Sequence, residues 1–215
     1  MRIIVFGDSI AEGLYDGHGG WVSRLAGAEN SKSVKNIEAE KNWVINASIK
    51  ANTLEGVMER FAKEYEVRVK PDDKSLVLLA IGINDAALRD NLVLTDEFEF
   101  AEKYGKLIEM AYDYTDNVLA VGLTAVDEEI SENLKHLFAD KTYPNNRINL
   151  FEDCIKQVCF DKSVPFLPIH DDFLKTLTRT PHLLSPDGLH PGDNGHKYIF
   201  ERVSAAVNEL LAETN

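Results

Sequence analysis

Residues 2–10 read RIIVFGDSI, an apolar run that ends in Gly-Asp-Ser. A short run rich in β-branched residues, closed by small polar residues, predicts a buried strand followed by a turn. A second run, LVLLAI at residues 76–81, is entirely apolar, as expected for a central parallel strand that is covered on both faces. We therefore expect Ser9 to lie at the carboxyl edge of a parallel sheet.

Strand candidates alternate with amphipathic helix candidates along the rest of the chain. The strands are predicted at 2–6, 43–46, 75–81, 117–122 and 164–169. The helices are predicted at 20–28, 53–65, 95–113, 146–161 and 194–212, with Thr53, Thr95 and Asp193 as candidate N-caps. Repeated strand–helix alternation predicts βαβ units in a three-layer α/β/α sandwich with a five-stranded parallel sheet. We expect one domain over residues 1–215, with the polar segment 125–143 as a surface excursion over the carboxyl end of the sheet.

The charge composition excludes several partners. The 215 residues include 23 Lys and Arg against 36 Asp and Glu, which gives a net charge of −13. Nucleic-acid binding needs positive charge that displaces counterions from phosphates, so we expect no nucleic-acid partner. Anionic membrane surfaces repel such a chain for the same reason, and we expect no stable membrane association.

Targeting signals and cysteine pairing are also constrained by the sequence. The N-terminal apolar run is too short for a secretory signal, and no stretch approaches 18 apolar residues, so a cytoplasmic location is the expectation. Cys154 and Cys159 lie five positions apart in a predicted helix, which turns their side chains away from each other. We expect two packed thiols and no disulfide between them.

Three polar groups follow predicted strands or precede the last helix. Ser9 follows the first strand, Asn84 follows the third within GIND at 82–85, and Asp187 and His190 are three residues apart in DGLH at 187–190. Each alone is more simply a helix cap, a turn residue or a surface histidine. Together they supply a nucleophile, an oxyanion donor, an orienting carboxylate and a base, which are the parts of an acyl-transfer site.

Other polar residues are given simpler interpretations. Asp8 and Asp85 are expected to be structural turn residues. His18 is expected to be a solvated loop residue, and His196 an early residue of the last helix without a catalytic role. The HDD sequence at 170–172, with the groups above, could suggest a metallophosphoesterase, but the spacing suits a metal site poorly, and we expect none.

With these residues in place, the chain resembles the SGNH (GDSL) hydrolase family. Its ordered blocks match GDS at 7–9, GIND at 82–85 and DGLHP at 187–191, supported by Gly13, GGW at 19–21 and GH at 195–196. The resemblance extends from about residue 2 to residue 210. It implies a flavodoxin-like three-layer fold and hydrolysis of a small-molecule ester or thioester without a metal or other cofactor.

The resemblance also implies roles for individual residues. Ser9 would attack the carbonyl carbon, His190 would act as base, and Asp187 would orient His190. The N–H groups of Ser9 and Ala51 and the side chain of Asn84 would form the oxyanion hole.

The second block departs from the family pattern. Members usually carry a glycine in a stretch such as N-x-x-x-x-G-x-T, and here the stretch at 46–53 reads NASIKANT, with Ala51 at the glycine position. If the backbone needs a positive φ there, alanine costs about 1 kcal/mol or more. Two alternatives stay open: acyl transfer to or deacetylation of a sugar by the same site, and a catalytically silent binding domain on the same fold.

Overall fold

The computed structural model of the protein describes residues 1–36, 38, 41–180 and 182–213. The strands in chain order are β1 (Arg2–Gly7), β2 (Trp43–Asn46), β3 (Ser75–Ala80), β4 (Leu88–Arg89), β5 (Leu92–Val93), β6 (Val118–Val121), β7 (Lys141–Thr142) and β8 (Phe166–Leu167). The helices are α1 (Ser9–Glu12), α2 (Gly20–Lys35), α3 (Leu54–Glu66), α4 (Glu97–Tyr112), α5 (Glu128–Asn133), α6 (Asn145–Asp161), α7 (His170–Leu177) and α8 (Asp193–Glu213). A 3-10 helix covers Lys135–Phe138.

The central sheet has five parallel strands in the order β2-β1-β3-β6-β8. Counting only these five, the order is 2-1-3-4-5, the flavodoxin-like arrangement that the family resemblance implied. β1 pairs with β3 over six positions, from Arg2 opposite Ser75 to Gly7 opposite Ala80. The chain leaves β1 toward β2 on one side and leaves β3 toward β6 on the other, so a crevice opens between the carboxyl ends of β1 and β3.

Alternating side chains of the strands divide the interior into two cores. Ile4 and Phe6 of β1 pack on one face with α3, α4 and α6. Ile3 and Val5 pack on the opposite face with α2, α7 and α8. The period of two along a strand sends neighbouring residues to opposite faces, so an apolar run such as β1 covers both at once. The three-layer α/β/α prediction is confirmed.

Most predicted elements are present, with shifted ends. α2 continues to Lys35 where the sequence predicted an end near residue 28, and β8 has two residues where six were expected. Thr53 caps α3 as predicted, but α4 is capped by Asp96, which accepts hydrogen bonds from the N–H groups of Phe98 and Glu99. Thr95 was the wrong choice because it lies one residue before the cap. Asp193 is the first residue of α8, and its carboxylate accepts from Arg24.

The segment that the sequence left unassigned holds α5, the 3-10 helix and β7. β7 joins β4 and β5 in a small antiparallel sheet with the order β5-β4-β7. No strand was predicted at β4, β5 or β7, since two-residue strands carry no readable period.

Two further expectations concern the cysteines and membrane-spanning helices. Cys154 and Cys159 are free thiols on α6, and burial raises the pKa of Cys159 to about 12. Within the described ranges, no helix is long and apolar enough to cross a membrane.

A buried carboxylate connects α6 to the chain after β6 and to the start of α7. Glu152 of α6 accepts hydrogen bonds from the N–H groups of Leu123 at 2.6 Å and of Ile169 and His170 at 3.2 and 3.1 Å. Burial raises the pKa of Glu152 to about 7, although these N–H donors favour the ionised form.

We expect Glu152→Ala to lower the free energy of unfolding by about 3 kcal/mol, because it leaves three buried N–H groups without an acceptor. Asp153→Ala, at the exposed neighbouring position of the same helix, is the matched control and should change it by less than about 0.5 kcal/mol. Urea denaturation measures both. Equal losses in the two variants would contradict this role of Glu152.

Candidate active site

Ser9 stands where β1 turns into α1. Asp8 caps α1 by accepting a hydrogen bond from the Ile10 N–H at 2.9 Å, and Ser9 is the first residue of the helix. Gly7 allows this tight exit, because a Cβ there would lie 2.6 Å from the Ala11 Cβ and 2.7 Å from the Ala80 carbonyl oxygen. The turn therefore presents the Ser9 side chain at the carboxyl edge of the sheet, as the sequence predicted.

Ser9, His190 and Asp187 form one continuous hydrogen-bonded chain. The Ser9 Oγ lies 2.9 Å from the His190 Nε2, and the His190 Nδ1 lies 2.6 Å from the Asp187 Oδ2. A carboxylate only accepts hydrogen bonds, so Nδ1 carries the proton. Nε2 is then free to accept from the Ser9 hydroxyl, which is the arrangement a serine nucleophile requires.

The Asp187 carboxylate is held in place by its own loop. Its Oδ1 accepts from the Ser185 hydroxyl at 2.6 Å and from the N–H groups of Leu189 and His190 at 2.9 and 3.0 Å. Burial by itself would raise the pKa of Asp187, but the hydrogen bonds from His190 and Ser185 lower it to about 2. The carboxylate is therefore ionised and oriented toward the imidazole.

Two aromatic rings contact the imidazole of His190. The Tyr15 ring meets it edge-on at 5.3 Å between centroids, and the Phe138 ring lies 6.1 Å away. Tyr15 belongs to the loop after α1, and Phe138 to the 3-10 helix. Sequence reasoning missed both, because neither lies in an element long enough to show a periodic signal.

The predicted oxyanion donors border the same cavity as Ser9. This cavity has a volume of about 250 Å³, and Ala51, Asn84 and His190 also line it. The Asn84 amide is fixed from two sides: its Nδ2 donates to the Asn52 carbonyl at 3.0 Å, and its Oδ1 accepts from the Tyr143 hydroxyl at 3.3 Å. An amide nitrogen carries two hydrogens, so one remains for another acceptor.

Ala51 adopts the backbone conformation that favours glycine. Its φ is +59°, within a turn closed by a hydrogen bond from the Asn52 N–H to the Ile49 carbonyl at 3.1 Å. Glycine is the usual residue at the third position of a turn when φ is positive there. The backbone therefore does need a positive φ at the position where the family usually has glycine, and Ala51 carries the resulting strain.

The other polar residues have structural surroundings. Asp85 accepts from the Leu54 N–H with both oxygens, at 3.0 and 3.2 Å, and so supports the start of α3. Burial raises the pKa of Asp85 to about 7 and that of Asp8 to about 6, although hydrogen bonds from Leu54 and Ile10 oppose both shifts. Both residues have the structural role that the sequence suggested, although each stabilises the start of a helix rather than a turn.

Three other histidines that the sequence analysis considered lie outside the hydrogen-bonded chain. His18 is exposed, 3.7 Å from the Asp193 carboxylate. His196 is buried in α8, where its Nε2 is 3.2 Å from the Leu14 carbonyl oxygen. His170 begins α7, and the described part of the chain contains no group of three or more side chains arranged to hold a metal.

A serine–histidine–aspartate chain at the carboxyl edge of a five-stranded flavodoxin-like sheet defines the class of SGNH hydrolases. The model of the GDSL-like lipase/acylhydrolase family matches residues 5–198. The chain belongs to this family. A comparison with curated protein sequences finds no significant match.

Solved structures share the fold over nearly the whole chain. An acetyl xylan esterase, AlAXEase, is 23% identical with a TM-score of 0.73, covering 96% of this chain and 100% of its own. The lipase/acylhydrolase from Enterococcus faecalis is 22% identical with a TM-score of 0.69, covering 96% and 94%. The psychrotrophic esterase EstA from Pseudoalteromonas sp. is 17% identical with a TM-score of 0.70, covering 98% of both.

We expect Ala51→Gly to raise the free energy of unfolding by about 0.5–1 kcal/mol, because glycine relieves the strain of a positive φ. Ala205→Gly, at an exposed position within α8, is the matched control and should lower it by about 1 kcal/mol. Chemical denaturation of both variants checks the opposite signs. A destabilised Ala51→Gly protein would show that the turn is not strained.

Proposed function

We propose that the protein hydrolyses carboxylic esters, and thioesters by the same route, through an acyl-enzyme on Ser9. The observation that carries the proposal is the hydrogen-bonded chain from Ser9 through His190 to Asp187. All three side chains are buried, and Ser9 and His190 line one cavity. Family membership supports ester hydrolysis as the reaction class. The specific roles of the residues follow from their chemistry.

In the first half-reaction the Ser9 Oγ attacks the carbonyl carbon while the His190 Nε2 accepts the hydroxyl proton. A tetrahedral intermediate forms, with negative charge on the former carbonyl oxygen. Its collapse breaks the bond to the leaving group, which takes the proton from the His190 Nε2. Asp187 stabilises the imidazolium that exists between these two proton transfers.

In the second half-reaction water replaces the leaving group. His190 accepts a proton from the water as it attacks the acyl-enzyme carbonyl. The second tetrahedral intermediate collapses with release of the carboxylic acid, and the proton returns to the Ser9 oxygen. An alcohol in place of water would give acyl transfer with the same atoms.

The negative charge on the oxygen requires hydrogen-bond donors that are already in place. We assign this role to the Ser9 N–H, the Ala51 N–H and the second N–H of Asn84. As the first residue of α1, Ser9 has an N–H without an acceptor inside the helix. The bonds from Asn84 to Asn52 and from Tyr143 to Asn84 support the assignment, because they keep the amide from rotating when charge develops.

We expect Ser9→Ala to reduce hydrolysis of 4-nitrophenyl acetate by about 10³-fold or more, because the nucleophile is lost. The protein should also stop reacting covalently with a fluorophosphonate probe, as followed by intact-protein mass spectrometry. Ser31→Ala, on the exposed face of α2, is the control and should keep both properties. Equal rates in the wild type and Ser9→Ala would contradict the proposal, and an unreactive wild-type Ser9 would favour a silent binding domain.

We expect Asn84→Ala to lower kcat by about 10²–10³-fold, the usual loss for one oxyanion donor. KM should change much less, because the donor acts mainly in the transition state. Steady-state kinetics on the same ester measure both constants. Fluorophosphonate labelling of the variant should be slower but still directed to Ser9. A rise in KM with unchanged kcat would instead make Asn84 a substrate-binding residue.

A further inference from the structure

The cavity beside Ser9 has an unusual charge for this chain. Lys50, Arg89 and Lys141 line it, and no Asp or Glu is among its lining residues. The chain as a whole carries a net charge of −13. Positive side chains therefore line the cavity that holds the Ser9 hydroxyl, although the chain as a whole is acidic.

Arg89 and Lys141 are placed directly opposite each other. The antiparallel pairing of β4 with β7 sets Arg89 against Lys141. Side chains at opposed positions share one face of the sheet, with Cβ atoms about 5 Å apart, and like charges in that arrangement destabilise the pairing. The small sheet therefore holds two cations together over the cavity at the expense of its own stability.

These cations form no ion pair in the part of the chain that the structure describes, although the negative charge of Asp85 attracts Lys141 from a greater distance. Across the described ranges, none of Lys50, Arg89 and Lys141 has a carboxylate within 4.0 Å. Asp85, which acts on Lys141 electrostatically, is engaged with the Leu54 N–H. Burial and the nearby Arg89 lower the pKa of Lys141, and the attraction of Asp85 only partly opposes this shift.

We propose that Arg89 and Lys141 bind an anionic group of the ester substrate, a carboxylate or a phosphate, while Ser9 attacks the ester carbonyl. The proposal rests on the proposed function of Ser9 and adds a substrate class to it. A guanidinium fork and an ammonium together suit either anion. The cavity of about 250 Å³ limits the bound part to a small group, so the anion lies only a few bonds from the scissile carbonyl.

The test compares anionic with neutral esters of matched shape. On the alcohol side, 4-acetoxybenzoate and 4-acetoxyphenyl phosphate are compared with neutral 4-acetoxybenzamide. On the acyl side, the mono-4-nitrophenyl ester of adipic acid is compared with 4-nitrophenyl hexanoate. We expect kcat/KM of the wild type to favour the anionic member by about tenfold or more on at least one side. No preference on either side would overturn the proposal.

The variants Arg89→Gln and Lys141→Gln assign the preference to these residues. Each should reduce the anionic-to-neutral ratio of kcat/KM by roughly tenfold, the effect of losing one charged hydrogen-bond partner. Lys103→Gln removes the same charge from a lysine that does not line the cavity and pairs with Glu55 and Glu99. It should keep the ratio. An unchanged ratio in the first two variants, or an equal fall in Lys103→Gln, would overturn the assignment.

Thermal unfolding separates this proposal from that for Ser9. In a buffer without carboxylate or phosphate ions, Arg89→Gln and Lys141→Gln should unfold at or above the wild-type temperature, because the cross-strand repulsion is relieved. A lower unfolding temperature would contradict repulsion between the Arg89 and Lys141 side chains.

Benzoate or phenyl phosphate should stabilise Ser9→Ala but not Ser9→Ala combined with Arg89→Gln. This result would support the anion site even if the wild type hydrolysed no ester. Ester hydrolysis without stabilisation by anions and without a preference for anionic esters would support the function of Ser9 and overturn the anion site.

Discussion

The parallel pairing of β1 with β3 is the constraint on which the site depends. Six consecutive residue pairs place Gly7 beside Ala80, so the two strands end together at one edge. The chain then leaves the two strands in opposite directions, which opens the crevice in which Ser9 and Asn84 meet. Because both strands are buried on both faces, a slip in register would disturb both cores as well as the site.

Buried carboxylates hold the loops that leave this edge. Asp8 accepts from Ile10 at the start of α1, Asp85 from Leu54 at the start of α3, and Glu152 from Ile169 and His170 at the start of α7. Their raised pKa values show that burial of each carboxyl group outweighs the hydrogen bonds that favour its ionised form. Asp187 is the opposite case, because hydrogen bonds from His190 and Ser185 keep its pKa low. Of these four carboxylates, Asp187 is the one that hydrogen-bonds to the base, and it is also the one whose pKa is lowered.

The fold could be predicted where the local pattern was strong. The apolar runs of β1 and β3 are long enough to be recognised, and Thr53 is a cap that a sequence can indicate. The short strands of the small sheet were not predicted. β4, β5 and β7 have two residues each, and they form only because they pair with one another in the folded chain. The same limit hid Tyr15 and Phe138, which reach His190 only through tertiary packing.

By itself the sequence determined the layered fold, the family and the residues whose chemistry suits acyl transfer, because those features lie in short contiguous motifs. Tertiary structure alone decided how the motifs combine. It brought His190 to within 2.9 Å of Ser9 across 181 positions of the chain, and it gave Ala51 a positive φ. It also set Arg89 opposite Lys141 above the cavity. Contacts of this kind depend on strand register and loop closure, which join residues that have no local relationship in the sequence.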